Sequence, residues 1–410
     1  MTIIRALLGL VVIGALAYLL SNNKRQIIGQ WKQLGLMLIY MIVLAFVCLK
    51  TTAGIAFLGG VSNFMSWLFG QAQAGVSFVF GGIAINEGAF VFFFNVLCPL
   101  VFMSALIGIL DYIKVLPFCM KWIGWLINKI TGVGELEGQF AISGMLLGEP
   151  ACFLTVEDIA KQIDEKRMFT FVMSATGTVG ANMLAAYMNV IEGKYVVVAV
   201  ILNIFSAFII SKIMNPYDPE ALKQQEAKDD RLEHPTDGTA ALTMEEKQSF
   251  FDMLGTYMMN GWNLALAVAG TLIGFIALIG FLNNVFQAIV GMTLTEIVGY
   301  VFSPLAFGIG IQTDDIVQAG SIMATKLFTN ELVGMQTLEA GIKNLSPRTV
   351  AMLSTYLVSY ANFGTIGIIS GALRSLDQRQ ARFISSQSLK IIAGATLASC
   401  LTATIVGIFY

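Results

Sequence analysis

Two stretches decide the fold of this chain: GEPACFLTVE at residues 148–157 and NELVGMQTLE at residues 330–339. Each contains a Glu, a Thr six positions later and a second Glu eight positions later. Each is followed by an apolar stretch with nearly the same tetrapeptide, GTVG at residues 177–180 and GTIG at residues 364–367. The chain therefore contains one structural unit twice. Acidic side chains in apolar surroundings are costly, and paired interrupted apolar segments in two halves are typical of a transporter's binding site.

The composition around these stretches is that of an integral membrane protein. Hydrophobic residues make up 56% of the 410 residues and charged residues only 12%, whereas soluble domains have about 25% charged residues. A membrane-spanning helix needs about 20 mostly apolar residues. The sequence therefore predicts an all-α polytopic protein with about eight spans, at residues 3–20, 35–50, 92–112, 168–189, 195–214, 258–282, 350–372 and 385–410.

Basic loops indicate the orientation in the membrane. Lys24-Arg25 follows the first apolar run, and a second basic segment, residues 374–382, lies between the last two predicted spans. Cytoplasmic loops carry an excess of Lys and Arg, so we predict a multi-pass protein of the cytoplasmic (inner) membrane with both termini outside. The first run could instead be a signal peptide cleaved near residues 15–17, but it continues to Leu20, which favours a retained helix.

The two Glu-bearing stretches are too short and too interrupted to cross a bilayer as single helices. Glycines and a proline interrupt residues 138–160, and Lys326, Asn330 and Gly334 interrupt residues 317–343. Irregular backbone at membrane depth is tolerated only where it is buried in protein or lines a wet cavity. We therefore predict two re-entrant helical hairpins whose tips face such a cavity.

The two glycine-containing tetrapeptides are predicted to break their helices. A break at residues 177–180 and another at residues 364–367 would free backbone carbonyls for an ion or a solute. Glycines in membrane helices also serve as close-packing points. Their occurrence in both units, each time after a Glu-bearing hairpin, favours the break.

The predicted organisation has scaffold and transport parts. An irregular amphipathic stretch near residues 55–90 is predicted to lie along the membrane interface. The predicted segments are scaffold and interfacial helices (1–130), the first repeat (131–214), a polar linker (215–250), a long scaffold helix with an interfacial segment (251–310) and the second repeat (311–410).

Several function classes are excluded or disfavoured. A net charge of −2 gives no electrostatic basis for nucleic-acid binding. Five scattered cysteines and the single His234 predict neither a disulfide framework nor a metal site, and no phosphate-binding Gly-rich loop of the GxxxxGK[ST] type is present. The polar residues form no nucleophile, base and orienting set, so the chain is not predicted to be an enzyme.

At the hairpins the sequence resembles the bacterial concentrative nucleoside transporters. The resemblance covers nearly the whole chain, and its specific motifs are Asn330-Glu331 and Ala361-Asn362-Phe363. It implies a homotrimer in which each protomer has eight spans and two re-entrant hairpins in an inverted repeat. It also implies elevator movement of a transport domain and uptake of nucleosides driven by sodium or protons. The further matching stretches are residues 86–90, 104–110 and 319–327.

The residues implied to bind ribose are all present. By resemblance, the ribose hydroxyls are held by Glu331 of the second hairpin and by Asn362 and Thr365, with Tyr360 at an aromatic position of the same span. A carboxylate can accept hydrogen bonds from two vicinal hydroxyls, and a site built to bind them rejects an analogue that lacks them.

The base-binding residues depart from the family pattern. The first hairpin tip usually has Gly-Gln-Thr/Ser-Glu, whereas Glu149, Pro150 and Ala151 follow Gly148 in this chain. An ionised Glu149 only accepts hydrogen bonds, so it favours a base edge rich in N–H donors, such as that of guanine. The sequence therefore predicts a preference shifted towards purine nucleosides.

The cation site departs as well. Gly144 stands where the family has a sodium-binding Asn. We therefore expect proton coupling, rather than sodium coupling, through Glu149 or Glu331, because desolvation favours the protonated form of a buried carboxylate. The oxygens left for sodium belong to Ser143, Thr178 and the backbone carbonyls of Leu147 and Val179. No cofactor beyond the coupling ion, H+ or Na+, is predicted.

Two other transport functions remain open. A facilitative channel would carry flux without accumulating solute. A symporter for another polar solute, such as a nucleobase or a sugar-like compound, would explain the altered first hairpin.

Overall fold

The computed structural model describes residues 2–81, 91–149, 151–160, 163–217 and 249–410. Within these ranges every regular element is a helix, which confirms the all-α prediction. The predicted matches at residues 86–90, the predicted site residue Pro150 and most of the polar linker lie outside the described residues.

Three long helices begin the chain: α1 (Thr2–Leu19), α2 (Lys24–Lys50) and α3 (Thr52–Phe80). The prediction of an irregular stretch near residues 55–90 was wrong for its first part, because α3 is continuous over 29 residues. Its glycines at positions 59, 60, 70 and 75 have open space around them, so they interrupt neither packing nor the helix. The side chain of Thr51 caps α3 by accepting a hydrogen bond from Gly54 N (3.0 Å).

The middle of the chain forms the first repeated unit. A π-helical turn (Phe93–Leu97) leads into α4. The elements that follow are α4 (Leu100–Tyr112), α5 (Val115–Thr131), α6 (Glu135–Leu147), a 3-10 helix (Ala151–Ile159), α7 (Glu165–Thr176), α8 (Ala181–Met188) and α9 (Gly193–Met214). We call Glu135–Ile159 hairpin 1.

The last part repeats this order of elements. Its helices are α10 (Phe250–Val290), α11 (Leu294–Gly308), α12 (Ile316–Phe328), α13 (Glu331–Gly341), α14 (Pro347–Leu357), α15 (Phe363–Leu376), α16 (Gln378–Ser386) and α17 (Ser388–Val406). We call Ile316–Gly341 hairpin 2. In both units two helices precede a hairpin, a broken helix and a final span, and the α-helix α16 of the second unit has no counterpart in the described part of the first. The two predicted hairpins are confirmed.

The pairs of related helices pack together around the hairpins. The long helices α4 and α10 contact each other, α5 packs on α6, and α11 packs on α12. The final spans α9 and α17 form the centre of the protein. Of the residues in their most apolar 18-residue segments, 89% and 83% are buried, against 11% for α10. The hairpins are therefore held between a buried pair of spans and an outer layer.

Seven described helices or helix pairs are long and apolar enough to cross a membrane. They include six of the eight predicted spans, and the seventh is α3. The other two predicted spans, 3–20 and 350–372, correspond to the shorter α1 and to the broken pair α14 and α15.

The first predicted helix break is confirmed and the second is displaced. Residues 177–180 separate α7 from α8. In the second unit the break lies at residues 358–362, and GTIG at residues 364–367 belongs to the first turns of α15. The reason is that Asn362 caps α15, accepting a hydrogen bond from Thr365 N (3.0 Å), so the tetrapeptide starts a helix instead of interrupting one.

Buried polar contacts fix the centre. Asn203 Nδ2 of α9 donates to the backbone oxygen of Val358 in the second break (2.5 Å), and Thr402 Oγ1 of α17 donates to Asn203 Oδ1 (2.7 Å). A backbone carbonyl freed by a helix break needs such a partner when it is buried. The two final spans are thereby joined to the break of the second unit.

Candidate functional site

The carboxylate of Glu331 is the centre of the candidate site. Glu331 is the first residue of α13, where the helix dipole favours negative charge, and it is 6% exposed. Tyr187 OH of α8 donates to its Oε1 (2.7 Å), and Asn362 Nδ2 donates to its Oε2 (3.2 Å). Hairpin 2 therefore presents a buried carboxylate to the broken helices of both units.

Asn362 is oriented by the helix that it caps. Its Oδ1 accepts hydrogen bonds from Thr365 N (3.0 Å) and Thr365 Oγ1 (3.3 Å), which leaves its Nδ2 to face Glu331. Asn362 is 4% exposed and Thr365 is 3% exposed. The structure thus brings together Glu331, Asn362 and Thr365, as the sequence predicted.

Hairpin 1 places its tip against the first helix break. Gly148 has φ +76°, and a Cβ at this position would lie 3.2 Å from Gly180 Cα, 3.4 Å from Asn182 Oδ1 and 3.6 Å from Tyr360 OH. A left-handed conformation in so tight a space requires glycine. Glu149 follows this turn directly, and Ala151 begins the 3-10 helix.

Tyr360 connects the two helix breaks. Its hydroxyl accepts a hydrogen bond from Gly180 N (3.1 Å), and its backbone N donates to Thr178 O (3.2 Å). Tyr360 lies two residues from Asn362, so hairpin 1, both breaks and the Glu331 carboxylate meet in one place.

Three buried side-chain oxygens near the tip of hairpin 1 have no hydrogen-bond partner. They are Glu149 Oε1, Thr178 Oγ1 and Asn182 Oδ1. A buried polar atom without a partner costs about 1–3 kcal/mol, which a bound solute or ion would recover. The first unit therefore has oxygens that can accept further hydrogen bonds, whereas both carboxylate oxygens of Glu331 already accept one.

The predicted cation-coupling residues lie beside these oxygens. A Cβ on Gly144 would lie 3.8 Å from Thr178 Cγ2, Val179 is fully buried, and Leu147 is the last residue of α6. Ser143 Oγ donates to Thr155 Oγ1 (3.3 Å) within hairpin 1. The structure groups Gly144 with Thr178, and coupling itself remains a prediction.

Three residues of the site were not predicted from the sequence: Tyr187, Asn182 and Lys326. Asn182 offered a weak signal, since it is a polar residue at the second position after the first break. Tyr187 and Lys326 gave no sequence signal. The partner of Tyr187 is 144 positions away, and the partners of Lys326 are 30 or more positions away.

Three family models match adjoining parts of the chain. Residues 8–83 match the amino-terminal part of the Na+ dependent nucleoside transporters, residues 93–194 match a domain described as nucleoside recognition, and residues 195–407 match the carboxyl-terminal part of the same transporters. Together these matches span both repeated units.

Relatives matched over nearly their full length and solved structures agree with these family models. The chain is 31% identical to the purine nucleoside transport protein NupG of Bacillus subtilis, with 98% of each chain covered, and 26% identical to the nucleoside permease NupC of Helicobacter pylori, with 98% and 97% covered. It matches the structure of CNTnw in an inward-facing substrate-bound state with a TM-score of 0.88 at 26% identity, covering 100% and 98% of the two chains. The matching family models and relatives are nucleoside transporters and permeases, not enzymes. The chain belongs to the concentrative nucleoside transporter family.

Proposed function

We propose that this chain imports nucleosides across the cytoplasmic membrane by symport with a cation, and that the cation is a proton rather than sodium. The observation that carries the proposal is the buried group formed by Glu331, Asn362 and Thr365 at the tip of hairpin 2. Two carboxylate oxygens can accept from two vicinal hydroxyls, and the amide and hydroxyl of the other two residues complete a polar surface for a ribose.

The base preference is proposed to favour purines. Glu149 Oε1 is buried and unpartnered beside the first break, so it can accept from an N–H group of a base. Guanine offers adjacent N–H donors on one edge, whereas uracil offers one N–H between two carbonyl acceptors. The name of the relative NupG, a purine nucleoside transport protein, supports the same preference.

Competition for uptake tests this preference. In proteoliposomes, guanosine and inosine are expected to compete with a radiolabelled purine nucleoside at least tenfold more effectively than uridine. Glu149→Gln, which turns one acceptor into a donor, is expected to reduce this ratio by about tenfold, the value of one hydrogen bond. Glu192→Gln, an exposed Glu on the loop before α9, is the matched control. A profile dominated by uridine that Glu149→Gln leaves unchanged would refute the purine preference.

Glu149 is also the proposed proton carrier. It lies at the tip of hairpin 1 with one buried oxygen unpartnered, directly after Gly148, whose backbone lies against Gly180 of the first helix break. A protonated carboxyl keeps one acceptor oxygen, so Glu149 can carry the proton and still accept a hydrogen bond from a base N–H group.

Ion replacement tests the coupling. At constant pH, uptake is expected to change less than twofold when sodium is replaced by choline, and to rise at least fivefold when a pH gradient, acidic outside, is imposed. The pH-driven increase is expected to disappear in Glu149→Gln and to persist in Glu192→Gln. A strict requirement for sodium at constant pH would establish sodium coupling instead.

Polar contacts at one end of the bundle support the proposed orientation. Asn22 Nδ2 donates to Asn215 Oδ1 (3.0 Å), Asn215 Nδ2 donates to Lys166 O (2.9 Å), and Lys390 Nζ donates to Asn22 Oδ1. The ends of α1 and α9 therefore adjoin the starts of α7 and α17. An excess of basic residues favours the cytoplasmic side, so this end of the bundle is proposed to face the cytoplasm and both chain termini to lie on the other side of the membrane. The basic residues at this end are Lys24, Arg25, Lys166, Lys212 and Lys390.

Transport is proposed to proceed by an elevator movement within a homotrimer. The structures of CNTnw that resemble this chain are described as inward-facing, outward-facing and intermediate, with TM-scores of 0.88 to 0.89 for the states compared. The long helix α10 exposes most of its apolar surface, including Ile273, Phe281 and Ile289. Such a surface suits contact with lipid and with neighbouring protomers.

A further inference from the structure

The side chain of Lys326 is fully buried in hairpin 2. Its ammonium donates to Tyr356 O (2.5 Å), Ser359 Oγ (2.6 Å) and Ser399 Oγ (3.4 Å), and it lies 4.3 Å from the centre of the Tyr356 ring. Among the described residues, no carboxylate lies within ion-pair distance of it. A buried charge normally requires a partner charge, so this ammonium is held instead as a small cation is held, by neutral oxygens and an aromatic face.

The oxygens come from the helix break of the second unit. Tyr356 is the next-to-last residue of α14, where backbone carbonyls lack partners within the helix and the dipole favours positive charge. Ser359 lies in the break and shares a hydrogen bond with Ser399 of α17 (2.7 Å). The arrangement joins hairpin 2, the break and the final span through one positive charge.

The first unit has no positive charge at the equivalent place. Gly144 lies five residues before Glu149, as Lys326 lies five residues before Glu331. Gly177 lies four residues before α8, as Ser359 lies four residues before α15. A Cβ on Gly177 would lie 2.9 Å from Ala207 Cβ of α9, just as Ser359 contacts Ser399 of α17. A Cβ on Gly144 would have no heavy atom closer than 3.7 Å, and the nearby Thr178 Oγ1 is unpartnered.

We propose that the Lys326 ammonium is a built-in cation of the second unit: it supplies a permanent positive charge in hairpin 2, whereas in hairpin 1 the positive charge is supplied by the proposed exchangeable proton. The chain then has one exchangeable positive charge, on Glu149, and one permanent positive charge, on Lys326. Lys326 is a positioning residue: it holds the second break and hairpin 2 in the arrangement that brings Asn362 to Glu331. The comparison with the first unit rests on the proposed cation coupling, whereas the cation-like binding of the ammonium does not.

Chemical rescue tests the proposal. Lys326→Ala removes the ammonium and leaves a cavity lined by oxygens, so the variant is expected to lose at least tenfold in nucleoside uptake in choline buffer. Ammonium or methylammonium at millimolar concentration is expected to raise the thermal unfolding temperature of the purified variant. In nucleoside exchange measured with the ion on both sides and without a pH gradient, it is expected to restore at least fivefold of the loss. Lys326→Met fills the cavity without charge and is expected to show the loss but no rescue. Wild type and Lys194→Ala, which removes a partly exposed lysine, are expected to show no thermal stabilisation by either ion and no change in exchange without a pH gradient.

The two readouts separate this proposal from the proposed function. Thermal stabilisation of Lys326→Ala by small ammonium ions reports on the cation site even if the wild type transports no nucleoside. Full uptake by Lys326→Met, or a folded Lys326→Ala that no small cation stabilises, would overturn the built-in cation.

A reciprocal variant decides the case if Lys326→Ala does not fold. Gly144→Lys places a second tethered ammonium at the first break, where a Cβ meets no neighbouring heavy atom closer than 3.7 Å. Its uptake is expected to become independent of the cation that drives the wild type. A Gly144→Lys protein that binds nucleoside and keeps the wild-type cation dependence would contradict the equivalence of the two positions.

Discussion

Glu331→Gln is expected to reduce nucleoside uptake by about 10- to 100-fold. The carboxylate lies at the start of α13, where Tyr187 and Asn362 hold its two oxygens. An amide leaves one acceptor oxygen for two ribose hydroxyls and removes the negative charge. Loss of one hydrogen bond to a charged group costs about 1.5–3 kcal/mol, and each 1.4 kcal/mol is a tenfold effect. Initial uptake rates in proteoliposomes with matched amounts of protein measure the change.

Discrimination against deoxynucleosides gives a second measure of the same contact. Wild type is expected to prefer a ribonucleoside to its 2′-deoxy analogue, and Glu331→Gln is expected to lose most of that preference. Tyr187→Phe removes one donor to the carboxylate and keeps both acceptor oxygens, so a smaller loss of uptake with retained discrimination is expected. Full uptake of ribonucleosides by a correctly inserted Glu331→Gln protein would remove the basis for the ribose site.

Glu137→Ala is expected to lower the free energy of unfolding by about 3–5 kcal/mol, the usual cost of breaking a buried ion pair. Arg167 Nε and Nη2 donate to the two carboxylate oxygens of Glu137 at 2.7 and 3.1 Å. Glu137 is fully buried in α6 and Arg167 is 4% exposed in α7. Removal of the carboxylate breaks both charge-assisted hydrogen bonds that the buried guanidinium makes to Glu137. Unfolding by SDS titration in mild detergent measures the effect.

Two controls define the origin of that loss. Glu192→Ala breaks an exposed pair with Lys194, for which a change below about 1 kcal/mol is expected. The double variant Glu137→Leu/Arg167→Met replaces both charges with apolar groups and is expected to recover most of the stability. If Glu137→Ala unfolds at the same SDS fraction as wild type, the pair does not hold hairpin 1 against α7.

The sequence predicted the hairpins well because their signal is local and repeated. The Glu, Thr and Glu spacing occurs in both stretches, and each is too interrupted for a span, so two re-entrant elements follow from membrane physics alone. The grouping of Glu331 with Asn362 and Thr365 came from the family resemblance. The structure places the three residues in contact, and their binding of ribose stays a prediction.

The features that could not be predicted from the sequence depend on helix capping and on contacts between residues far apart in the chain. GTIG at residues 364–367 has the composition of a break, yet Asn362 caps the helix just before it and makes it regular. The partners of Tyr187 and Lys326 belong to other elements, so neither residue could be assigned a role from spacing. The continuity of α3 was likewise hidden, because glycine and phenylalanine content alone does not distinguish an exposed helical face from an irregular one.

Tyr360 has a consequence for the thermodynamics of the transporter. Its hydroxyl and its backbone N–H tie the interrupted helices of both units to each other. In the proposed elevator movement, the residues that line the site would therefore move as one rigid unit and present the same groups to either aqueous compartment. A nucleoside would then bind with similar affinity from either side of the membrane. The direction of net flux would follow the electrochemical gradient, and reversing that gradient would turn the importer into an exporter.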